Sequence, residues 1–180
     1  MRVGLLLAFA LAFGCGRQGA LDTVADSNAD PRVWQDDAQR IAGALPRAIG
    51  PFTPREAADP FWTSYRTGPV FGVSGVYASA GRQLLVRVET GNIAARAAAA
   101  LDPKAAIDGR PAGRETTVKG TPALVRWSDK GRESEVTFIV ARRYLVQLRL
   151  VPATNEGETV GLAEGLDLGP LEGLALDGVK

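Results

Sequence analysis

The sequence predicts an α+β domain in which an antiparallel sheet of about five or six strands carries helices on one or both of its faces. Three observations lead to this prediction. Apolar residues recur at helical spacing after Pro31, they alternate with period two in several segments between Phe71 and Val151, and most connections between predicted strands are short. Short connections favour antiparallel pairing, because a parallel crossover needs about a dozen residues or more.

The first predicted element is a helix that begins after Asp30 and Pro31, which suit an N-cap and a first helical position. Its apolar positions recur at helical spacing and would face the core: Trp34, Ala38, Ile41, Ala42 and Leu45. Pro46 ends the helix, because proline lacks the backbone N–H that the helix needs. The segment from Gly50 to Pro60 is rich in proline and is predicted to be an irregular connection.

A β-hairpin and a second helix are predicted next. Residues 71–78 and 84–89 alternate between apolar and other side chains, and the turn between them lies at residues 80–81. Asn92 has the residue type of an N-cap for the segment IAARAAAAL, which is composed of strong helix formers. A loop that contains glycine and proline is predicted over residues 108–113.

Three further strands are predicted to form a meander over residues 123–127, 135–141 and 144–151, with turns at residues 129–131 and 142–143. The segment TFIVA in the second of these strands is apolar on both faces, and it is therefore predicted to be a central strand. Tight turns between consecutive strands are typical of antiparallel hairpins.

The C-terminal segment has glycine at every fourth position, at Gly157, Gly161, Gly165, Gly169 and Gly173. The acidic residues between these glycines exclude a membrane span, and two interpretations remain open. Either the spacing is chance in a glycine-rich chain and a frayed helix runs from about residue 156 to residue 164, or a partner induces a helix with a close-packing groove. The leucines in the second half of the segment are predicted to pack back onto the sheet: Leu166, Leu168, Leu171 and Leu174.

Residues 31–180 are predicted to form a single domain, since a domain typically contains about 100–150 residues. The order of its elements resembles that of the PsbP/Mog1-like α/β/α sandwich, which some bacterial envelope lipoproteins adopt. The resemblance is one of element order, and it implies a sheet covered by helices on both sides.

The N-terminal segment predicts the location of the protein. A positive charge at Arg2 precedes an apolar run from Val3 to Phe13, which is shorter than the ~18 residues of a bilayer span and has the length of a signal-peptide core. The sequence LAFGC that ends at Cys15 resembles the bacterial lipobox. The resemblance implies that residues 1–14 are a lipoprotein signal peptide and that Cys15 carries a diacylglycerol and an acyl chain such as palmitate.

Cys15 is the only cysteine in the chain, and it would be the point of attachment to the membrane. Two or more acyl chains hold a protein stably on a membrane, whereas one chain binds only marginally. Residues 15–30 have no apolar period beyond the cysteine and are predicted to be the lipidated cysteine and a flexible tether. Gly16 stands where an Asp would resemble an inner-membrane retention signal, so the periplasmic side of the outer membrane is slightly favoured. The alternatives are a secreted protein with a free thiol and a retained anchor.

The composition excludes several classes of function. Hydrophobic residues make up 46% of the chain and charged residues 23%, as in globular proteins, and the formal net charge of +1 gives no general reason to bind nucleic acid. The chain contains no histidine, which excludes a histidine base, histidine metal ligands and serine–histidine catalysis. The sequence therefore predicts no catalytic residues, no metal site and no cofactor.

Two sets of side chains are candidates for contact with a partner. Phe61, Trp62 and Tyr65 lie in the predicted irregular segment before the sheet, where an aromatic cluster is either an exposed contact surface or part of the packing. The arginines on or near the strands either form a cationic stripe for an anionic ligand or pair with glutamates across strands. The arginines are Arg82, Arg87, Arg126, Arg142, Arg143 and Arg149, and the glutamates are Glu89, Glu133 and Glu135.

The sequence favours a non-enzymatic, lipid-anchored envelope lipoprotein whose domain binds a partner protein or a small ligand. One alternative is a carrier of small amphiphiles, with a crevice between sheet and helix lined by residues such as Phe71, Tyr77 and Phe138. A less favoured alternative is a hydrolase that acts through the carboxylates of Glu133 and Glu135.

Overall fold

The computed structural model describes residues 34–65, 68–105 and 112–177 of the chain. The helices in these ranges are α1 (Trp34–Ala44), α2 (Ala94–Ala100), α3 (Glu158–Glu164) and α4 (Gly169–Asp177). The strands are β1 (Thr53–Pro54), β2 (Asp59–Tyr65), β3 (Gly68–Ser79), β4 (Arg82–Gly91), β5 (Arg114–Val118), β6 (Thr121–Ser128), β7 (Glu133–Val140) and β8 (Tyr144–Val151). None of these helices has the length and apolar character that a membrane span requires.

The strands form one antiparallel sheet in the order β1-β3-β4-β8-β7-β6-β5, and β2 pairs with the same edge of β3 as β1 does. The prediction of an antiparallel sheet with helices is confirmed, although the sheet has eight strands and not five or six. The hairpin β3–β4 and the meander β6–β7–β8 occupy the predicted segments, and β7 lies inside the sheet. The turn at Ala80 and Gly81 has φ values of 46° and 77°, as a two-residue type I′ hairpin requires.

Strands β1, β2 and β5 were not predicted from the sequence. The proline-rich segment before residue 61 was predicted to be irregular, but it contains β1 and the start of β2. Pro54 and Pro60 are compatible with strand structure there because an edge strand does not use all of its backbone donors for pairing. Strand β5 has the sequence RETTV and buries only Val118, so no apolar alternation marks it.

One face of the sheet, called here the first face, is covered by α1, α3 and α4. Ala38 and Ile41 of α1 are buried against it and Ala42 and Leu45 are partly buried, as the helical spacing predicts, and Ala44 is buried in addition. Alternate residues of the central strands supply the other side of this core, because side chains along a strand point to opposite faces. These residues are Val73, Tyr77, Leu84, Val86, Val88, Val136, Phe138, Val140, Val146, Leu148 and Leu150.

The C-terminal segment contains two short helices on the first face. Helix α3 confirms the predicted helix of this segment, whereas α4 was not predicted. Gly157 and Gly165 are the caps of α3, and a Cβ added at Gly161 or Gly173 would meet no atom within 4 Å. Gly161 and Gly173 therefore pack against no other element within the described residues, and a close-packing groove that a partner would fill stays a prediction. The leucines pack against the core as predicted: Leu166, Leu168, Leu171 and Leu174.

The opposite face of the sheet, called here the second face, carries α2. The alanine-rich helix is confirmed, but the prediction that Asn92 is its N-cap is wrong, because the N-cap is Ile93, which makes no capping side-chain hydrogen bond within the described ranges. Asn92 instead covers Gly68, where an added Cβ would lie 2.0 Å from Asn92 Nδ2. The residues that join α2 to the sheet are Val70, Ile93, Ala97, Ala100 and Leu145.

Some predictions fall on residues outside the described ranges. They are the signal peptide over residues 1–14, the lipidated Cys15 with the tether to residue 30, the N-cap pair Asp30 and Pro31, and most of the loop over residues 108–113.

Candidate functional site

The aromatic residues predicted as a contact surface lie in strand β2 and not in an irregular segment, which corrects that prediction. Phe61 and Trp62 point to opposite faces, because they are neighbours along a strand, so they do not form one cluster. Trp62 is 47% exposed, whereas Phe61 is partly buried beneath Arg87, whose Cζ lies 4.0 Å from the ring centroid. Tyr65 ends the strand, and its side chain lies outside the described residues.

Trp62 begins a row of side chains that crosses the first face. It is paired in register with Phe71 of β3, and Phe71 is paired with Thr90 of β4. The next strand across, β8, pairs Leu145 with Glu89, and Tyr144 at its start lines the same cleft as Thr90. Two strand spacings separate Trp62 from Thr90, which corresponds to about 10 Å. The exposed tryptophan and the start of β8 therefore lie near the same end of the sheet.

A small cleft lies over the far end of this row, where α1 and α4 meet the sheet. Its volume is about 30 Å³. Helices α1 and α4 contribute one side of the cleft, and the end of β4, the turn before β8 and the start of β8 contribute the other. The lining residues are Asp37, Arg40, Ile41, Thr90, Arg143, Tyr144 and Leu174.

Two polar groups of the cleft lack partners within the described part of the chain. Thr90 is 2% exposed, and its Oγ1 makes no hydrogen bond there. The Nε of Arg143 is likewise buried without an acceptor, while its guanidinium lies 6.0 Å from the ring centroid of Tyr144. Asp37 and Arg40 of α1 approach each other to 4.0 Å. Buried polar atoms without partners are uncommon in native proteins, so this pair of atoms marks the cleft as a candidate site.

The Tyr144 hydroxyl of the cleft stays protonated at neutral pH. Burial raises the pKa of Tyr144 above its ordinary value of 10.0, and the carboxylate of Asp37 raises it further. The guanidinium groups of Arg143 and Arg40 act in the opposite direction, but burial prevails. Tyr144 is therefore a neutral group that can donate a hydrogen bond.

The second face carries a buried ion network that the sequence did not predict as a unit. The Glu89 side chain has no solvent exposure, and its two oxygens lie 2.7 Å from Arg87 Nε and 3.3 Å from Arg96 Nε. Arg126 donates hydrogen bonds to the carbonyl oxygens of Ala100, at 2.8 Å, and Asp102, at 3.2 Å. These carbonyls lie at the C-terminal end of α2, where cationic groups are favourable. The network thus fastens α2 to the sheet.

The two carboxylates considered for hydrolysis, those of Glu133 and Glu135, lie beside arginines. Glu133 Oε2 accepts a hydrogen bond of 2.6 Å from Nη2 of Arg149 on the neighbouring strand, and Glu135 is buried opposite Arg126. Arg82 pairs with Glu158 at 2.5 Å. The ion-pair interpretation is thus supported for Arg82, Arg87 and Arg149. Arg143 forms no ion pair within the described ranges. No group of acidic or cysteine side chains in the described ranges could hold a metal ion.

The aromatic residues proposed to line an amphiphile crevice are tightly enclosed. Phe71, Tyr77 and Phe138 are buried, and the Tyr77 hydroxyl donates a hydrogen bond of 2.7 Å to the carbonyl oxygen of Pro46. Tyr77 and Phe138 belong to the core beneath the helices. Their side chains fill the interior between sheet and helices.

Comparison of the chain with protein-family models, with curated proteins and with solved structures gives no match. The cleft was missed from the sequence because its residues come from four separate segments. One local signal was present, since Thr90 follows Leu84, Val86 and Val88 on the buried side of β4. A polar residue in the apolar phase of a strand indicates either a buried hydrogen bond or a site.

Proposed function

We propose that the chain is a bacterial envelope lipoprotein, anchored through Cys15, whose domain is a non-enzymatic binding module. The proposed partner is another envelope protein, and the proposed contact surface is the edge of the first face around Trp62. The tether over residues 16–30 would let the domain reach such a partner from the membrane surface.

The observation that carries the binding role is the exposure of Trp62. Its side chain is the only large hydrophobic one that is exposed among the described residues, and it is 47% accessible. A tryptophan on a paired strand presents a large apolar surface at a fixed position, and tryptophan is enriched among the residues that contribute most to protein interfaces. An exposed tryptophan on an edge strand therefore favours a protein contact.

The anchor is tested by the intact mass of the protein purified from native membranes, with Cys15→Ala as the matched variant. The expected mass begins at Cys15 and includes a diacylglycerol and one further acyl chain, and Cys15→Ala should lose both the lipid mass and the membrane association. An unmodified mass that begins upstream of Cys15 would contradict the anchor without affecting the binding proposal.

The contact surface is tested with a photoreactive amino acid in place of Ser64, which is exposed two residues from Trp62 on the same face of β2, and, as the matched control, in place of Thr117. Thr117 is exposed on β5 at the opposite edge of the sheet. Irradiation of intact cells should give a discrete crosslinked product from position 64 and none from position 117. Equal labelling from both positions, or none from either, would argue against this surface.

A further inference from the structure

We propose that the cleft between α1, α4 and the start of β8 binds the carboxylate group of a small anionic ligand, with Thr90, Arg143 and Tyr144 as its hydrogen-bond donors. This inference rests on the geometry of the cleft and does not depend on the proposed anchor or on the surface around Trp62.

The first argument is that the cleft holds polar groups that the protein itself does not satisfy. Thr90 Oγ1 and Arg143 Nε are both buried, and neither has an acceptor within the described ranges. A buried donor without a partner destabilises the folded chain. A valine in place of Thr90 would fill the same volume without that cost. Thr90 therefore brings an unsatisfied hydroxyl to the wall of the cleft, which an incoming acceptor would satisfy.

The second argument is the charge of the lining. Arg40 and Arg143 contribute two positive charges and Asp37 one negative charge, so the cleft carries a net charge of +1. Tyr144 adds a neutral donor, because burial holds its pKa above the ordinary value of 10.0. Oxyanions are favoured where guanidinium and hydroxyl donors converge, and hydrogen bonds to charged oxygens are stronger than those between neutral groups.

The third argument is size, which selects a carboxylate over larger oxyanions. The cleft has a volume of about 30 Å³. A water molecule needs about 10–15 Å³ measured in this way, so the space corresponds to two or three heavy atoms. A planar carboxylate has three heavy atoms, whereas a tetrahedral phosphate or sulfate group has five. The rest of the ligand would remain outside the cleft.

The probe for this site is sodium acetate, titrated at constant ionic strength against sodium chloride and followed by amide NMR shifts of the full chain. Saturable shifts are expected at Thr90 and Tyr144. Thr90→Val and Arg143→Gln should each weaken acetate binding by about tenfold or more, because each removes a donor to a charged oxygen. Asp37→Asn should tighten binding several-fold, because it removes a negative charge that opposes the anion.

The matched control is Arg142→Gln, which removes a positive charge from the same turn at an exposed position that does not line the cleft. Its affinity for acetate should equal that of the unaltered chain. The dispersion of each spectrum establishes whether the variants are folded. If Arg143→Gln does not fold, the isosteric variant Thr90→Val still tests the proposal.

Three results would overturn the proposal. Absence of saturable shifts with acetate would mean that water alone fills the cleft. Acetate binding that is unchanged in both Thr90→Val and Arg143→Gln would place the ligand elsewhere. Tighter binding of phosphate than of acetate would contradict the assignment of a carboxylate.

Discussion

Glu89 and Arg87 form an ion pair on the second face of the sheet, with Arg87 Nε 2.7 Å from Glu89 Oε1. The N–H of Arg87 does not point directly at this oxygen, so the contact is mainly electrostatic. Arg96 of α2 approaches the other oxygen of Glu89, and the Arg87 guanidinium covers the ring of Phe61. One buried carboxylate therefore links β2, β4 and α2 through two arginines.

Replacement of Glu89 by leucine should destabilise the domain by about 3–5 kcal/mol, because it leaves the guanidinium of Arg96 buried without its carboxylate. Urea unfolding followed by circular dichroism measures this loss. The matched control is Glu133→Leu, which removes a more exposed carboxylate that pairs with Arg149 and should cost clearly less. Equal losses in the two variants would mean that burial of Glu89 adds nothing to the pair.

The sequence predicts the elements that have a strong internal period. Helix α1, the hairpin β3–β4 and the meander β6–β7–β8 each carry their own apolar alternation, and all occupy the expected segments. Strands β2 and β5 lack such a pattern and are held by pairing with β3 and β6. An edge strand depends on pairing with the adjacent strand, and the sequence of the edge strand alone does not show which strand that is.

The candidate cleft could be predicted only in part, for the same reason. Thr90 interrupts the apolar phase of β4 and is visible in the sequence, as is the Arg142-Arg143 turn before Tyr144. That Asp37 and Leu174 meet these residues depends on how α1 and α4 pack on the sheet. The position of the cleft therefore depends on tertiary packing, which the local sequence pattern does not specify.

We expect that the C-terminal segment with helices α3 and α4 can be stabilised by replacing two of its glycines without loss of packing. Gly161 of α3 and Gly173 of α4 are exposed, and a Cβ at either position would meet nothing within 4 Å. Gly161→Ala and Gly173→Ala should each stabilise the domain by about 0.4–1 kcal/mol, because alanine loses less backbone entropy on folding. Thermal unfolding of the single and double variants measures the gain, which should be additive.

The matched control for these variants is Gly72→Ala in β3. A Cβ at Gly72 would lie 1.9 Å from the backbone oxygen of Val88, so the strands would have to move apart. We expect a loss of about 1–3 kcal/mol or more. Destabilisation by Gly161→Ala or Gly173→Ala would instead indicate that these glycines are packed against a surface absent from the isolated domain.

The environment of Glu158 leads us to expect that the stability of the domain depends on pH in the acidic range. Partial burial alone would raise the pKa of Glu158, but hydrogen bonds from Thr154 and the Arg82 guanidinium together lower it below the ordinary value of 4.5. A carboxyl whose pKa is lower in the folded state stabilises the fold fully above its unfolded pKa, and this contribution disappears as the pH falls through the folded pKa. Glu158 therefore stabilises the domain at neutral pH and not in strong acid.

Glu158→Gln should accordingly reduce the free energy of unfolding at pH 7, and the difference from the unaltered chain should shrink as the pH falls below 4.5. Urea titrations at a series of pH values measure this difference. Glu172→Gln, at an exposed position of α4, provides the control for a change of one charge. A difference that stays constant down to low pH would contradict the role of the Glu158 hydrogen bonds.

Tyr77 predicts the response to alkali, since its hydroxyl joins the end of α1 to the sheet through the 2.7 Å hydrogen bond to the Pro46 carbonyl. Burial raises the pKa of Tyr77 above 10.0, so its contribution to stability is complete below that value and is lost as the pH rises through the folded pKa. Tyr77→Phe should cost about 0.5–1.5 kcal/mol at pH 7 for the lost hydrogen bond. Above pH 10 the unaltered chain should lose stability more steeply than this variant, as measured by urea unfolding.

Tyr144→Phe is the matched comparison, because burial raises the pKa of Tyr144 as well. This variant should also lose less stability at alkaline pH than the unaltered chain. Parallel losses in all three proteins would mean that neither tyrosine is responsible.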